Sequence, residues 1–181
     1  MAAICVFCAS SSRLEPKWLD LATRTGQEIA ARGHRLVSGG SCVGMMGAVT
    51  EGARSGGAHT LGVIAQSLVD LEVADIHSDE LIVTADLGAR KNLLIERSDA
   101  FLTLPGGLGT LDELFEVWTT ATLDLHHKPI VLLNFEGYYD GLLSWLDDVV
   151  ADNFVPARAL DRVTVAKSIG NALDVIEQHL T

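Results

Sequence analysis

A glycine-rich run that ends in a glutamate, from Pro105 to Glu113, follows a short apolar stretch in the second half of the chain. The stretch Ala100–Leu104 predicts a buried strand that stops at Pro105, because proline cannot continue a central strand. Apolar residues at helical spacing from Leu111 onward predict a helix that opens at Thr110. A strand, a glycine loop and a helix N-terminus in this order are typical of a phosphate site, since free N–H groups and the helix dipole both favour an anion there. The three glycines of the loop are Gly106, Gly107 and Gly109.

This loop matches neither standard nucleotide motif. It lacks the lysine of the P-loop and the spacing of the dinucleotide fingerprint, and a tight turn between strand and helix explains many glycine loops. Glu113 also has a plain structural interpretation. In a capping box Thr110-x-x-Glu113, its carboxylate would reach back to the Thr110 N–H, and the local sequence alone favours this cap over a catalytic role.

Two earlier corners offer similar chemistry. The loop from Ser38 to Gly47 leads into a predicted helix, and its glycines either let the backbone approach an anion or let the helix pack closely. The corner Ala9–Ser12 follows the first predicted strand, and its hydroxyls either contact a ligand or serve ordinary turn chemistry. We take as candidate ligand contacts Ser10, Gly39, Gly40, Gly44 and Met45, with Met45 as core or pocket wall.

Strands alternate with helices along the whole chain, and most strands are short apolar runs. This pattern predicts an α/β fold, a Rossmann-like doubly wound and mostly parallel sheet with helices on both faces, as one domain over residues 1–181. Ligands of such sheets bind at the carboxyl ends of the strands. The three corners, after Cys8, Val37 and Leu104, should therefore meet at one edge.

The composition excludes several classes of function. With 24 acidic and 13 basic residues among 181, the net charge of −11 argues against broad nucleic-acid binding. No apolar stretch is long enough to span a membrane, and the N-terminus does not resemble a signal peptide, so we expect a cytoplasmic protein. Cys5 and Cys8 should point to opposite faces of a strand rather than form a redox pair. The pair His126-His127 has no third ligand at a recognisable spacing, so no metal site is predicted.

A second basic motif, Arg90-Lys91, lies upstream of the glycine loop, in a helix that Asp86 is placed to cap. Arg90 is one turn from Leu93 and Leu94, so its stem should be partly buried. With Ser98-Asp99-Ala100-Phe101 between them, this pair and the run Pro105-Gly106-Gly107-x-Gly109-Thr110-x-x-Glu113 resemble the signature of the "Lonely guy" (LOG) family. The resemblance extends from Cys5 to about the C-terminus.

The resemblance implies a cytokinin riboside 5′-monophosphate phosphoribohydrolase. Such an enzyme cleaves the N-glycosidic bond of N6-modified adenosine 5′-monophosphates, without a metal or cofactor, and works as a homodimer. It implies Arg90 and Glu113 as catalytic residues. As substrate contacts it implies Glu72, Lys91, Thr119 and the glycine loop with Thr110. The residues before the pair, Leu87-Gly88-Ala89, depart from the Met-His usual in the family.

Two other functions are compatible with a chain that carries glycine loops of this kind or with the older name of such proteins, and the sequence bears on both. A nucleotide- or cofactor-binding carrier of the same fold would keep the glycine loops without needing Arg90 and Glu113 together. A pyridoxal-phosphate lysine decarboxylase is rejected, because the chain is short and no lysine stands in a recognisable Schiff-base context.

Overall fold

The computed structural model describes residues 1–71 and 73–180. Seven short strands run through these residues, and most of their side chains are buried. The strands are β1 Ala3–Phe7, β2 Arg35–Ser38, β3 Thr60–Ala65, β4 Glu80–Thr84, β5 Ala100–Thr103, β6 Ile130–Leu133 and β7 Val163–Ala166.

Helices connect the strands. They are α1 Pro16–Ala31, α2 Gly44–Ser55, α3 Gln66–Val69, α4 Leu87–Glu96, α5 Leu108–Thr122, α6 Asp140–Ala151 and α7 Ile169–Leu180. Pro16 occupies the first turn of α1, where its missing N–H leaves no helical bond unmade. The Asp86 carboxylate accepts from the Ala89 N–H at 2.8 Å and caps α4 as predicted.

All described strands pair in parallel, in the order β4-β3-β2-β1-β5-β6-β7. The predicted α/β, doubly wound fold is therefore confirmed. The direction of winding reverses between β1 and β5, which creates a crevice at their carboxyl ends.

Two apolar layers cover the sheet. Helices α1, α2 and α7 pack on one face, around residues such as Leu21, Val49 and Leu173. Helices α4, α5 and α6 pack on the other face, around residues such as Leu94 and Leu114. Since parallel sheets with helical crossovers bury both faces, the strands read as continuous apolar runs.

The two N-terminal cysteines occupy opposite layers, as the period-2 alternation predicts. Cys5 lies in the layer of α4 to α6 and Cys8 in the layer of α1, α2 and α7. Both are free thiols, and burial raises the pKa of each well above its ordinary value. A redox pair is therefore excluded by geometry.

One predicted boundary is wrong in a way that matters. Helix α5 begins at Leu108 rather than at Thr110, and its N-cap is Gly107 with no side-chain cap bond. Thr110 lies inside the first turn, so the capping box with Glu113 does not form. The connection from β3 to β4 contains the short helix α3.

Candidate functional site

The three predicted corners meet at the carboxyl edge of the sheet, which confirms the expectation from topology. The Ala9 N–H donates to the Pro105 carbonyl at 3.3 Å, and the Met46 N–H donates to the Ala9 carbonyl at 3.3 Å. Backbone bonds thus join the loop after β1 to the loop after β5 and to the start of α2.

Every carbonyl of the glycine loop after β5 is engaged from within the protein. The Leu104 carbonyl accepts from the Tyr139 hydroxyl at 2.7 Å and the Gly106 carbonyl from the Tyr138 hydroxyl at 2.9 Å. The Pro105 carbonyl accepts from Ala9, and the Gly107 carbonyl accepts from the Leu111 N–H at 3.0 Å. The negative ends of these peptide dipoles are therefore turned away from the crevice.

The amides at the start of α5 have the opposite status. Among the described residues, no acceptor takes the N–H groups of Gly107, Leu108 or Gly109, and all three residues are exposed. A Cβ added at Gly107 or Gly109 would meet no protein atom within 4 Å, so packing does not require glycine there. Free amides on a helix N-terminus form an anion-binding surface, and small residues let an anion approach them.

Gly106 and Thr110 instead meet each other. A Cβ at Gly106 would collide with the Thr110 side chain, which is buried at 4% exposure. The Thr110 side chain therefore packs directly against the backbone of Gly106, and this contact leaves no room for a side chain at position 106.

Arg90 projects from α4 and is held by three acceptors. Its Nε donates to the Val63 carbonyl at 2.9 Å, its Nη1 to Glu113 Oε1 at 2.6 Å and its Nη2 to the Gly39 carbonyl at 3.3 Å. The residue is only 6% exposed, so the expected partial burial of its stem extends to the whole side chain. A guanidinium has five N–H donors, so two remain for a ligand.

Glu113 shares this buried environment. Burial raises the pKa of its carboxyl, and the charge of Arg90 offsets part of that rise. Removing either partner would leave a buried charge without its counterion, which is costly. Arg90 and Glu113 thus form a buried ion pair close to the free amides at the start of α5.

The second glycine loop mainly makes room for this pair. A Cβ at Gly39 would collide with the Arg90 guanidinium and approach Met46 Sδ at 2.9 Å. Gly40 adopts a positive φ of 72°, which favours glycine. Gly44 fits against the backbone of the loop after β1, with Ser11 and Ser10 as its neighbours.

The remaining candidates of this region lie at different depths. The Met45 side chain is in the core at 1% exposure, so only its main chain faces the edge of the sheet. Ser10 is exposed in the loop after β1.

Lys91, next to Arg90, points elsewhere. Its Nζ pairs with Glu116 Oε2 at 3.0 Å and with Asp112 Oδ1 at 3.2 Å on the outer side of α5. The structure therefore separates the two basic residues that the sequence sets side by side.

Thr119 is not beside Arg90 and Glu113 either. It is exposed on α5 and lines a groove of about 950 Å³ together with Phe115, Trp118 and Arg158. Six residues along a helix from Glu113 correspond to about 9 Å. Glu72 lies outside the described residues.

Two residues that sequence reasoning missed are Tyr138 and Tyr139, which hold the glycine loop. Their signal was available, because two aromatic hydroxyls follow β6 at the carboxyl edge of the predicted sheet. The Val63 carbonyl, which binds Arg90, is main chain and leaves no trace in the sequence.

The histidine pair takes part in structure. His126 Nε2 lies 2.9 Å from the Val117 carbonyl, and its Nδ1 accepts from the Lys128 N–H. Burial lowers the pKa of His126. Within residues 1–71 and 73–180, no three His, Cys, Asp or Glu side chains are grouped so as to hold a metal ion. No helix in this part of the chain is long and apolar enough to cross a membrane.

The fold and the site together define a Rossmann-like protein with an anion-binding loop beside a buried Arg–Glu pair. A family model described as "possible lysine decarboxylase" matches residues 46–176. A relative from Mycobacterium tuberculosis, named cytokinin riboside 5′-monophosphate phosphoribohydrolase, is 45% identical over 170 residues, which cover 94% of this chain and 90% of the relative. A relative from Arabidopsis thaliana with the same enzyme name is 40% identical over 177 residues, covering 98% of this chain and 83% of the relative. The chain belongs to this LOG family.

Solved structures of similar fold include a different class of protein. The molybdenum cofactor binding protein of Rippkaea orientalis superposes with a TM-score of 0.75 at 28% identity and covers 99% of this chain and 98% of its own. A DNA processing protein from Helicobacter pylori, with a TM-score of 0.58 at 13% identity over 98% of this chain and 80% of its own, shares the fold alone.

Proposed function

We propose that this protein hydrolyses the N-glycosidic bond of adenosine 5′-monophosphates, with N6-modified forms as the preferred class, and releases the free base and ribose 5-phosphate. The observation that carries the proposal is the buried pair of Arg90 and Glu113, 2.6 Å apart, beside the free amides of α5. The named activity of the relatives supports it.

The glycine loop would bind the 5′-phosphate. The N–H groups of Gly107, Leu108 and Gly109 would donate to phosphate oxygens, while the loop carbonyls stay engaged with Ala9, Tyr138, Tyr139 and Leu111. The protein carries a net charge of −11, so this local positive potential must overcome a repulsive background.

Glu113 would act on the ribose. As the bond between C1′ and the base nitrogen breaks, the sugar gains oxocarbenium character, and a carboxylate near C1′ stabilises that charge and orients the attacking water. The water oxygen bonds to C1′, one of its protons goes to solvent or to Glu113, and the base leaves with the bonding electrons and takes up a proton. Glu113 Oε1 is bound to Arg90, so Oε2 is the oxygen available for this role.

Arg90 would work by charge and position. Arginine does not give up its proton at physiological pH, so it stabilises the developing negative charge on the base through the two N–H groups left free. Its three bonds to Glu113, Val63 and Gly39 fix the guanidinium before substrate arrives.

Lys91 is assigned to the substrate only in a supporting role. Its bonds to Glu116 and Asp112 are partly exposed, and exposed pairs contribute little. Exchange of Asp112 for a substrate phosphate would therefore cost little.

The protein would be a cytoplasmic homodimer. Thr119 lies about 9 Å along α5 from Glu113 in its own chain, so the proposal places its groove against the site of a second copy. Light scattering of the wild-type protein tests the dimer, and base release by Thr119→Ala tests the contact with substrate. A monomeric protein would refute the first point, and wild-type turnover in the variant would refute the second.

A non-catalytic carrier is the second candidate. The likeness to the molybdenum cofactor binding protein favours it, but such a protein has no need of Arg90 and Glu113 as a buried pair.

Release of free base from AMP and from isopentenyladenosine monophosphate tests the proposal. Glu113→Gln and Arg90→Ala should lose activity, while Glu28→Gln, the same change on α1, should keep it. If the wild-type protein binds both nucleotides and releases no base, the carrier is correct.

A further inference from the structure

We infer that Tyr138 is a positioning residue for phosphate recognition, acting through the Gly106 carbonyl. The inference rests on the proposed function of the glycine loop. The Tyr138 hydroxyl donates to the Gly106 carbonyl at 2.9 Å. The proposed cleavage of the N-glycosidic bond does not use this hydroxyl.

The reason is the geometry of one peptide unit. The carbonyl of Gly106 and the N–H of Gly107 belong to the same planar trans peptide, so they point in opposite directions. Drawing the carbonyl toward Tyr138 therefore directs the Gly107 N–H away from Tyr138. The hydroxyl sets the direction of the first free amide of the anion site.

Tyr138 is itself held by aromatic contacts. It meets Tyr139 edge-to-face, with ring centroids 4.9 Å apart at 90°, and Trp18 at 5.4 Å and 72°. Trp18 comes from the first turn of α1, which packs on the opposite face of the sheet from α6. The ring is therefore fixed by two elements before its hydroxyl reaches Gly106.

Tyr139 has a different task. It is 3% exposed, and its hydroxyl holds the Leu104 carbonyl, whose peptide partner Pro105 has no N–H to direct. Tyr138 is 45% exposed, so its hydroxyl adds little to the core. Tyr138 thus orients the glycine loop, whereas Tyr139 contributes to its stability.

The matched variants are Tyr138→Phe and Tyr139→Phe, with Thr25→Val as a control that removes a hydroxyl-to-carbonyl bond in α1, far from the loop. Each removes one hydroxyl. We would measure kcat and KM for AMP, the Kd of ribose 5-phosphate by calorimetry, inhibition by free adenine, and the Tm.

For Tyr138→Phe we expect KM and the Kd of ribose 5-phosphate to rise about fivefold, the scale of one hydrogen bond. The kcat, the adenine inhibition and the Tm should stay at the wild-type values. Tyr139→Phe should lower the Tm more than Tyr138→Phe, and Thr25→Val should leave both binding constants unchanged.

An unchanged Kd in Tyr138→Phe would overturn the inference, and so would a fall in kcat at constant KM. The calorimetric arm needs no turnover. If the wild-type protein binds ribose 5-phosphate without hydrolysing AMP, the hydrolase proposal fails while weaker binding by Tyr138→Phe still supports the inference.

Discussion

Arg90 Nη1 donates to Glu113 Oε1 across 2.6 Å, and the two side chains are each 8% exposed. One comes from α4, which returns from the edge strand β4, and the other from the second turn of α5 beside the winding reversal. Neither helix contains the pair by itself, so its formation depends on how both helices pack against the sheet.

The acid limb of the pH profile should report Glu113. Its carboxylate is the active form, and burial raises its pKa above the ordinary glutamate value of 4.5. As the pH decreases, kcat/KM for AMP should therefore start to fall at a higher pH than an exposed glutamate would give. Glu113→Gln should lower kcat by about 10²-fold or more and abolish this limb. A limb that survives in the variant would assign it to another group.

Arg90 and Glu113 should show strong coupling in stability. Arg90→Met leaves a buried carboxylate unpaired and should cost about 3–5 kcal/mol of unfolding free energy, while the double variant with Glu113→Leu should recover most of that loss. Urea unfolding of the two single variants and the double variant measures the coupling. Costs that simply add would contradict the importance of the pair, and activity should be lost in all three.

Two glycine variants should separate packing from ligand access. Gly39→Ala should lower the Tm and activity together, because the new Cβ collides with the Arg90 guanidinium. Gly109→Ala meets no protein atom and gains helix propensity of up to about 1 kcal/mol, so its Tm should hold or rise. Its KM for AMP should nevertheless increase, because the methyl group occupies the approach to the free amides. A wild-type KM in Gly109→Ala would argue against a phosphate at this loop.

Asp79 should contribute to stability in a pH-dependent way. Bonds from the Thr60 N–H at 2.8 Å and the Thr60 hydroxyl at 2.9 Å lower the pKa of its carboxyl. A lowered folded-state pKa gives stability that is present above the unfolded value and is lost as the pH falls through the folded one. Asp79→Asn should therefore lower the Tm at about pH 7 and lower it less at about pH 2, because the contribution of the wild-type carboxylate declines as the pH falls. Equal losses at both pH values would show that charge is not the cause.

Much of the fold was predictable, because apolar strand runs, the Pro16 helix start and the Asp86 cap are local signals. The meeting of the three loops followed from parallel topology. The start of α5 did not follow. Thr110 and Glu113 match the sequence pattern of a capping box, but in the structure Thr110 packs against Gly106 and Glu113 accepts from Arg90. The separation of Lys91 from Arg90 was equally invisible, since adjacent helical residues diverge by about 100° and the partners Asp112 and Glu116 belong to another helix.

The winding reversal between β1 and β5 also bears on how the site comes into being during folding. Strands β2 and β3 lie on one side of that boundary; Gly39 directly follows β2 and Val63 lies within β3. Helix α5 follows β5 on the other side. The three groups bonded to Arg90 therefore come together only after both halves of the sheet have joined. Parallel pairing between distant segments is slow to form, so nucleotide binding should be among the last properties to return on refolding and should trail the recovery of helical signal.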